Sequence, residues 1–121
     1  MAIDIARIDH VQITVGTEDV AETTAFYEML GLEPIAKPNA RPGAWFALGP
    51  IQLHIGVEPV TRKSNEASKR HVCIVVRDAA IAERALRELG VNIIADADPV
   101  PGWKRFDVRD PGGNRVEIAE G

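Results

Sequence analysis

An internal repeat constrains this sequence more than any other feature. The segments His10–Val15 (HVQITV) and His71–Val76 (HVCIVV) share the pattern His-Val-x-Ile-x-Val. Self-similarity at this spacing indicates one structural unit built twice along the chain. Whatever fold the sequence adopts must therefore give the two segments equivalent places.

The same order of elements follows each repeated strand. Residues 20–30 and 79–89 predict helices, and each is followed by a glycine, Gly31 or Gly90, the usual stop signal beyond a helix. A short strand and then two strands joined by a turn come next. These strands are predicted at 33–36, Ala44–Leu48 and Ile51–Val57, and again at 92–95, 104–109 and 114–119. The predicted fold class is α+β, with two tandem βαβββ modules.

Two aspartates are predicted to begin the helices. Asp19, with Glu22 three residues later, resembles a capping box in which Asp replaces Ser or Thr. Asp78 is of a residue type that commonly caps a helix N-terminus. We expect both side chains to accept hydrogen bonds from backbone N–H groups.

The two modules are expected to form one domain, residues 1–121. Module one covers residues 1–57, a polar and charged linker covers 58–69, and module two covers 70–121. A unit of about 60 residues seldom buries enough apolar surface to be stable alone. The modules are therefore expected to pack together, within one chain or between two chains.

Composition excludes several classes of protein. The 121 residues are 45% hydrophobic and carry a net charge of −4, which argues against a basic nucleic-acid surface. No apolar run reaches the roughly 20 residues of a membrane helix, and the N-terminus lacks the features of a signal peptide. Cys73 is the one cysteine. We predict a cytoplasmic protein without nucleic-acid or membrane partners.

Polar side chains on the predicted strands indicate a metal site. Side chains alternate across a strand, so His10 and His71 lie opposite the apolar faces of their strands. Aligning residues 51–53 with 116–118 makes Gln52 the counterpart of Glu117. A pseudo-twofold would bring the four side chains towards one axis, and two imidazoles, a carboxylate and an amide oxygen form a metal site in outline. The alternative is that these polar faces point outward to water.

Four stretches of the sequence match a known family. They are Ile8-Asp-His10, Phe26-Tyr27-x-x-Leu-Gly-Leu32, the His71-Val72 strand and Asp110-Pro-Gly-Gly-Asn-Arg-Val-Glu117. Together they resemble the vicinal oxygen chelate superfamily, which includes glyoxalase I, fosfomycin-resistance proteins, extradiol dioxygenases and bleomycin-binding proteins. The resemblance covers nearly the whole chain.

The resemblance implies a fold, a cofactor and a mechanism. The two modules are expected to form an incompletely closed, mostly antiparallel barrel, and the protein is expected to be a homodimer. One divalent metal ion (Fe, Ni, Zn or Mn) is expected, with His10, Gln52, His71 and Glu117 as ligands by position. The metal would chelate vicinal oxygens of a small-molecule substrate and stabilise an oxyanion or enolate.

Gln52 departs from the pattern of glyoxalase I. A glutamate usually stands there and matters for proton abstraction, whereas an amide cannot act as a general base. Without Gln52, the set of two histidines and one carboxylate matches the facial triad of non-haem iron oxygenases. His54, two residues along the same face, is a second candidate for a ligand or a base. We therefore take His54 and Gln52 as the candidate catalytic residues.

Three further side chains are candidates for substrate binding. Arg105 and Arg109 have the planar guanidinium that binds carboxylates, although ion pairs to Asp107 or Asp110 are the alternative. Trp45 is expected either to line the cavity or to pack in the core.

These observations favour a metal-dependent enzyme of glyoxalase or dioxygenase type. Two alternatives stay open: a metal-free protein that sequesters an antibiotic-like small molecule, and a thiol transferase of the fosfomycin-resistance type.

Overall fold

The protein forms two βαβββ modules, as the repeat predicts. The structure is a computed structural model, and it describes residues 2–121. The first module contains β1 (His10–Val15), α1 (Val20–Met29), β2 (Glu33–Ile35), β3 (Ala44–Leu48) and β4 (Ile51–Val57). After a short helix, α2 (Arg62–Glu66), the second contains β5 (His71–Val76), α3 (Ala79–Glu88), β6 (Ile94–Ala95), β7 (Arg105–Arg109) and β8 (Arg115–Glu120).

Each module builds its own four-stranded sheet. The strand orders are β1-β4-β3-β2 and β5-β8-β7-β6. The first and last strands of each module pair in parallel, while the other neighbours pair antiparallel. Within residues 2–121 no pairing joins the two edges of either sheet, so both sheets are open. The α+β class and the mostly antiparallel, incompletely closed arrangement of strands are therefore confirmed.

The chain divides into two compact units, Met1–Val60 and Thr61–Gly121. The boundary falls inside the linker predicted at residues 58–69. That the two units form one domain stays a prediction.

Each unit has an apolar core made by one face of its sheet and its helix. In the first unit Val15, Phe46 and Leu53 are almost completely buried. The Tyr27 ring from α1 lies 6.2 Å from the Phe46 ring. In the second unit the core residues are Leu86, Phe106, Val108, Val116 and Ile118. Because side chains alternate along a strand, the opposite face of each sheet carries the polar side chains.

The predicted helix starts are half right. Asp78 accepts a hydrogen bond from the Ile81 backbone N–H at 2.9 Å, which confirms it as the N-cap of α3. Asp19 occupies the N-cap position of α1, but its side chain makes no capping hydrogen bond, so the predicted capping box with Glu22 is wrong. Residues Thr17–Asp19 form a 3-10 turn, which holds Asp19 in a helical conformation instead of the extended one a cap requires.

Helix α2 lies within residues 58–69, for which the sequence predicts only a linker. Thr61 accepts a hydrogen bond from the Ser64 N–H, and the Ser64 hydroxyl lies 2.9 Å from the Thr61 N–H, which completes a capping box. The signal was present as Thr-x-x-Ser in place of Thr-x-x-Glu. In the described part of the chain, none of the helices has the length and apolar character needed to span a membrane.

We predict that Leu53→Ala lowers the free energy of unfolding by about 2–5 kcal/mol, because Leu53 is 1% exposed and its loss leaves a cavity. Leu89→Ala is the matched control, since Leu89 is 56% exposed, and it should change stability by less than about 1 kcal/mol. Urea denaturation measures both. Equal losses would contradict the assignment of Leu53 to the core.

Candidate metal and substrate site

The parallel strand pairs decide which candidate residues are equivalent. On β1 and β4, His10 lies opposite Gln52, and Gln12 lies opposite His54. On β5 and β8, His71 lies opposite Arg115, and Cys73 lies opposite Glu117. Because His10 and His71 are equivalent, the counterpart of Glu117 in the first module is His54.

The predicted equivalence of Gln52 with Glu117 is therefore wrong by two residues. Both strands alternate apolar and polar residues, and such a pattern matches itself when it is shifted by one full period of two residues. Only the pairing with the neighbouring strand fixes the alignment. The symmetry argument for Gln52 as a metal ligand therefore falls, and His54 takes the position that corresponds to Glu117. That Gln52 is a ligand stays a proposal.

Three rings are stacked in the first unit. The Trp45 ring from β3 lies 3.8 Å from the His54 ring with an interplanar angle of 2°. On its other side, the His54 ring lies 4.1 Å from the His10 ring with an angle of 16°. The stack follows from the register, since Trp45 is directly opposite His54 on the antiparallel β3–β4 pair. His54 is thus held between two flat faces and is 4% exposed.

His54 also fixes the side chain of Gln52. Its Nε2 lies 2.8 Å from Gln52 Oε1, so the ring donates to the amide oxygen as the amide is oriented. Burial lowers the pKa of His54, and the nearby His10 lowers it further, while Asp9 opposes the shift. The imidazole therefore favours its neutral form more strongly than an exposed histidine does.

His10 is oriented by its neighbour in sequence. Its Nδ1 lies 2.9 Å from Asp9 Oδ2. This hydrogen bond lowers the pKa of Asp9, and Arg7, 3.1 Å from the same carboxylate, lowers it further. A carboxylate can only accept, so the proton resides on Nδ1 and the Nε2 lone pair of neutral His10 is available. Metal-binding histidines are commonly oriented in this way.

In the second unit, His71 and Glu117 face each other. His71 Nδ1 lies 2.9 Å from the Lys69 carbonyl oxygen, an acceptor, so Nδ1 carries the hydrogen. The other nitrogen, Nε2, lies 3.2 Å from Glu117 Oε1. In neutral His71 this places a lone pair against a carboxylate oxygen. Two acceptors at this distance repel unless a proton or a metal ion lies between them, so the pair fits either an ion pair with a protonated imidazole or a divalent metal ion.

One carboxylate oxygen of Glu117 lacks a hydrogen-bond donor. The residue is 5% exposed, and within residues 2–121 its Oε2 accepts no hydrogen bond. The nearest cation is the Arg105 guanidinium, with Nη1 at 3.9 Å. A buried carboxylate oxygen without a donor is costly unless another ligand completes it. This oxygen is a second observation that fits a metal ion.

Arg105 is held by protein carboxylates. Its Nε donates to Asp96 Oδ2 at 2.7 Å, and its Nη2 donates to the Asp98 carbonyl oxygen at 3.1 Å. The guanidinium also lies 4.7 Å from the Trp103 ring, a cation–π contact. The hydrogen bond lowers the pKa of Asp96 and raises that of Arg105.

Arg105 therefore forms an ion pair, which was the alternative to substrate binding. Its partner is Asp96, and not Asp107 or Asp110 as predicted. Asp107 instead pairs with Arg115, at 2.8 Å. Arg109 Nη1 donates to the Gly113 carbonyl at 3.2 Å, across its own hairpin. Arg105 and Arg109 also line a cavity of about 310 Å³ in the second unit.

A cavity of about 620 Å³ lies in the first unit. Trp45 lines this cavity, which is one of the two predicted alternatives for it. The candidates His10, Gln52 and His54 line the same cavity. The other lining residues are Asp9, Gln12, Lys37, Asn39, Arg41, Pro42, Ile55, Gly56 and Val57. Lys37 and Arg41 were missed from sequence because they belong to a loop with no strand periodicity. The available signal was a cation directly before a proline, twice within six residues, at Lys37-Pro38 and Arg41-Pro42.

The candidate metal ligands are thus divided between the units. The first unit brings together His10, Gln52 and His54, and the second brings together His71 and Glu117. Among residues 2–121 no three His, Cys, Asp or Glu side chains are grouped so that they could hold a metal ion.

Burial and Glu117 raise the pKa of Cys73 to about 11, so its thiol is protonated near neutral pH.

Comparison with known proteins identifies the family. The sequence model of the Glyoxalase/Bleomycin resistance protein/Dioxygenase superfamily matches residues 7–118. The chain belongs to this superfamily, as the sequence motifs predict. No curated protein matches the chain.

Several solved structures are similar. A glyoxalase family protein from Bacillus anthracis is 37% identical, with a TM-score of 0.86 over 100% of this chain and 99% of that chain. The fosfomycin resistance protein FosX from Listeria monocytogenes, a variant complexed with Mn(II) and 1S,2S-dihydroxypropylphosphonic acid, is 18% identical, with a TM-score of 0.80 over 98% and 94%. Lactoylglutathione lyase from Agrobacterium tumefaciens is 21% identical, with a TM-score of 0.72 over 97% and 95%. The last two show the fold alone.

We predict that His54→Ala destabilises the protein by about 2–4 kcal/mol, because it removes the ring between Trp45 and His10. His54→Phe should cost less than about 1.5 kcal/mol, since it keeps a flat ring of similar size. Urea denaturation compares the two. A loss from the Phe variant as large as that from the Ala variant would argue against a packing role for the stack.

We also predict that Arg105→Met lowers the melting temperature of the metal-free protein more than Arg115→Met does. Removing Arg105 leaves two carboxylates, Asp96 and Glu117, without their cation. Removing Arg115 leaves only Asp107. Thermal unfolding in the presence of a chelator tests the difference, and equal effects would show that Arg105 does not stabilise Glu117.

Proposed function

We propose that this protein is a divalent-metal-dependent enzyme of the glyoxalase/dioxygenase type that acts on a small oxygenated substrate. The metal would be held by His10, His71 and Glu117, with Gln52 as a fourth ligand. When bound, it supplies Lewis-acid polarisation of substrate oxygens and stabilisation of an oxyanion or enolate.

The observation that carries this proposal is the contact between His71 and Glu117. His71 Nε2 lies 3.2 Å from Glu117 Oε1, and the other carboxylate oxygen has no donor. An ordinary surface pair would protonate the histidine and leave the carboxylate in water. Here the carboxylate side chain is 7% exposed and the Nδ1 hydrogen of His71 is used on Lys69, so Nε2 needs a second proton or a metal ion to meet Glu117. A cation between them satisfies both groups.

The residues of the first unit supply orientation and proton transfer. Asp9 fixes the His10 tautomer that leaves Nε2 available, and His54 fixes the amide of Gln52. Gln52 cannot take a proton. His54 is the group beside it that can, because its Nε2–H is donated to Gln52 and the lone pair of the neutral imidazole then lies on Nδ1. We therefore assign proton abstraction to His54 and metal coordination through the amide oxygen to Gln52.

The cationic side chains are divided between roles. Arg105 is engaged by Asp96, so we assign it to the support of Glu117 and not to primary substrate binding. Arg109 and Trp45 keep their proposed roles as cavity-lining substrate contacts.

The cytoplasmic location and the homodimer stay predictions, and light scattering after size exclusion tests the dimer.

Metal analysis is the decisive experiment. We predict near one divalent metal ion per chain in protein purified without chelator, or after reconstitution with Fe, Ni, Zn or Mn. His71→Ala and Glu117→Gln should each lose this metal, because each removes a ligand from the pair. Iron would direct the assays to oxygenase chemistry, and nickel, zinc or manganese to lyase, isomerase or transferase chemistry.

Asp107→Asn is the matched control for Glu117→Gln. Asp107 lies directly opposite Glu117 on the neighbouring strand and is paired with Arg115. Its substitution removes the same charge, yet the protein should keep its metal. If wild-type protein takes up no metal under any condition, the enzyme proposal is wrong, and a metal-free ligand-sequestering function takes its place.

A further inference from the structure

The loop between β2 and β3 forms one wall of the cavity in the first unit. Lys37, Asn39, Arg41 and Pro42 line this cavity together with His54 and Trp45. The chain therefore brings two cationic side chains to the place where a substrate would meet the stacked rings.

Asn39 organises this loop. Its backbone oxygen accepts a hydrogen bond from Lys37 Nζ at 3.1 Å, and its side-chain oxygen accepts from the same ammonium group. That side-chain oxygen also accepts from the Arg41 backbone N–H at 3.0 Å. One asparagine thus ties together the two residues that carry the positive charge.

The end of the loop is fixed against β4. Gly43 has φ 132°, a conformation open to glycine but not to most residues, and a Cβ there would lie 2.1 Å from the Ile55 carbonyl oxygen. The backbone can approach β4 this closely only without a side chain. The loop therefore leaves the cavity at a defined position beside His54.

The charges of the cavity are not balanced within it. Among residues 2–121, the Arg41 guanidinium makes no ion pair or hydrogen bond, and Lys37 contacts only the neutral oxygens of Asn39. The lining includes one acidic residue, Asp9, which is already paired with Arg7 and His10. A cavity with free positive charge and a neutral aromatic wall favours an anionic ligand.

We propose that Arg41 and Lys37 form an anion subsite, so that the substrate of this protein carries a carboxylate or phosphonate group. The subsite rests on the proposed function for its place in a reaction, but not for its ability to bind an anion. Arg41 supplies paired N–H donors and Lys37 a second cation. The anionic group is held on the loop, and the oxygenated part of the substrate is directed towards His10, Gln52 and His54.

The test uses chelator-treated, metal-free protein, titrated with acetate in one arm and methylphosphonate in the other and followed by NMR chemical shifts. Wild-type protein should show saturable binding of at least one probe. Arg41→Gln should weaken it about tenfold or more, because it removes a charge-assisted contact. Asn39→Ala should weaken it less, since it only loosens the loop. The arm with the tighter binding identifies the anionic group.

Arg84→Gln is the matched control, because Arg84 is exposed on α3 in the other unit and its loss changes the net charge equally. This variant should bind the probes as wild-type protein does. The proposal is overturned if wild-type protein binds neither probe, or if Arg41→Gln and Arg84→Gln bind alike. These outcomes are independent of metal uptake, so failure of the subsite is distinguishable from failure of the metal proposal.

Discussion

Parallel pairing of the first and last strands of each module is the constraint on which the rest of this structure depends. Residues that are more than forty positions apart become neighbours through it, including His10 with Gln52 and Cys73 with Glu117. A parallel pair cannot be joined by a tight turn, so a helix and two further strands lie between its members. The polar side chains of β1 and β4 consequently share one face, opposite the face that carries Phe46 and Leu53 in the core.

Electrostatic compensation in the second unit is arranged around a carboxylate that the fold buries. Glu117 follows Val116 and precedes Ile118, both core residues, so its own side chain points away from that core. Arg105 approaches one of its oxygens but is neutralised by Asp96. Because Arg105 is paired mainly with Asp96, it compensates the negative charge of Glu117 only in part. Burial of such a charge is unfavourable without a partner, which is the physical reason to expect a bound cation.

The sequence alone predicts the fold well and the site only in part. Repeated motifs and glycine stops predict both modules because those signals are local, and the bounds of β1, β3, β4 and β5 agree with the structure. Register is not local, and so the alignment of Gln52 with Glu117 failed by one strand period. The partner of Arg105 also escaped prediction, because Asp96 belongs to the segment after β6 and reaches Arg105 only through the β6–β7 pairing.

The amide at Gln52 and the cationic loop are consistent with one kind of substrate. A glutamate in place of Gln52 would offer a base but would also place a negative charge beside His54. An amide removes that charge, and the lining residues then include one carboxylate, Asp9, which is already compensated by Arg7 and His10. The potential near Lys37 and Arg41 becomes positive and attracts an anion. Under the proposed function, proton transfer would then fall to the imidazole of His54, which can accept a proton without repelling an anionic substrate.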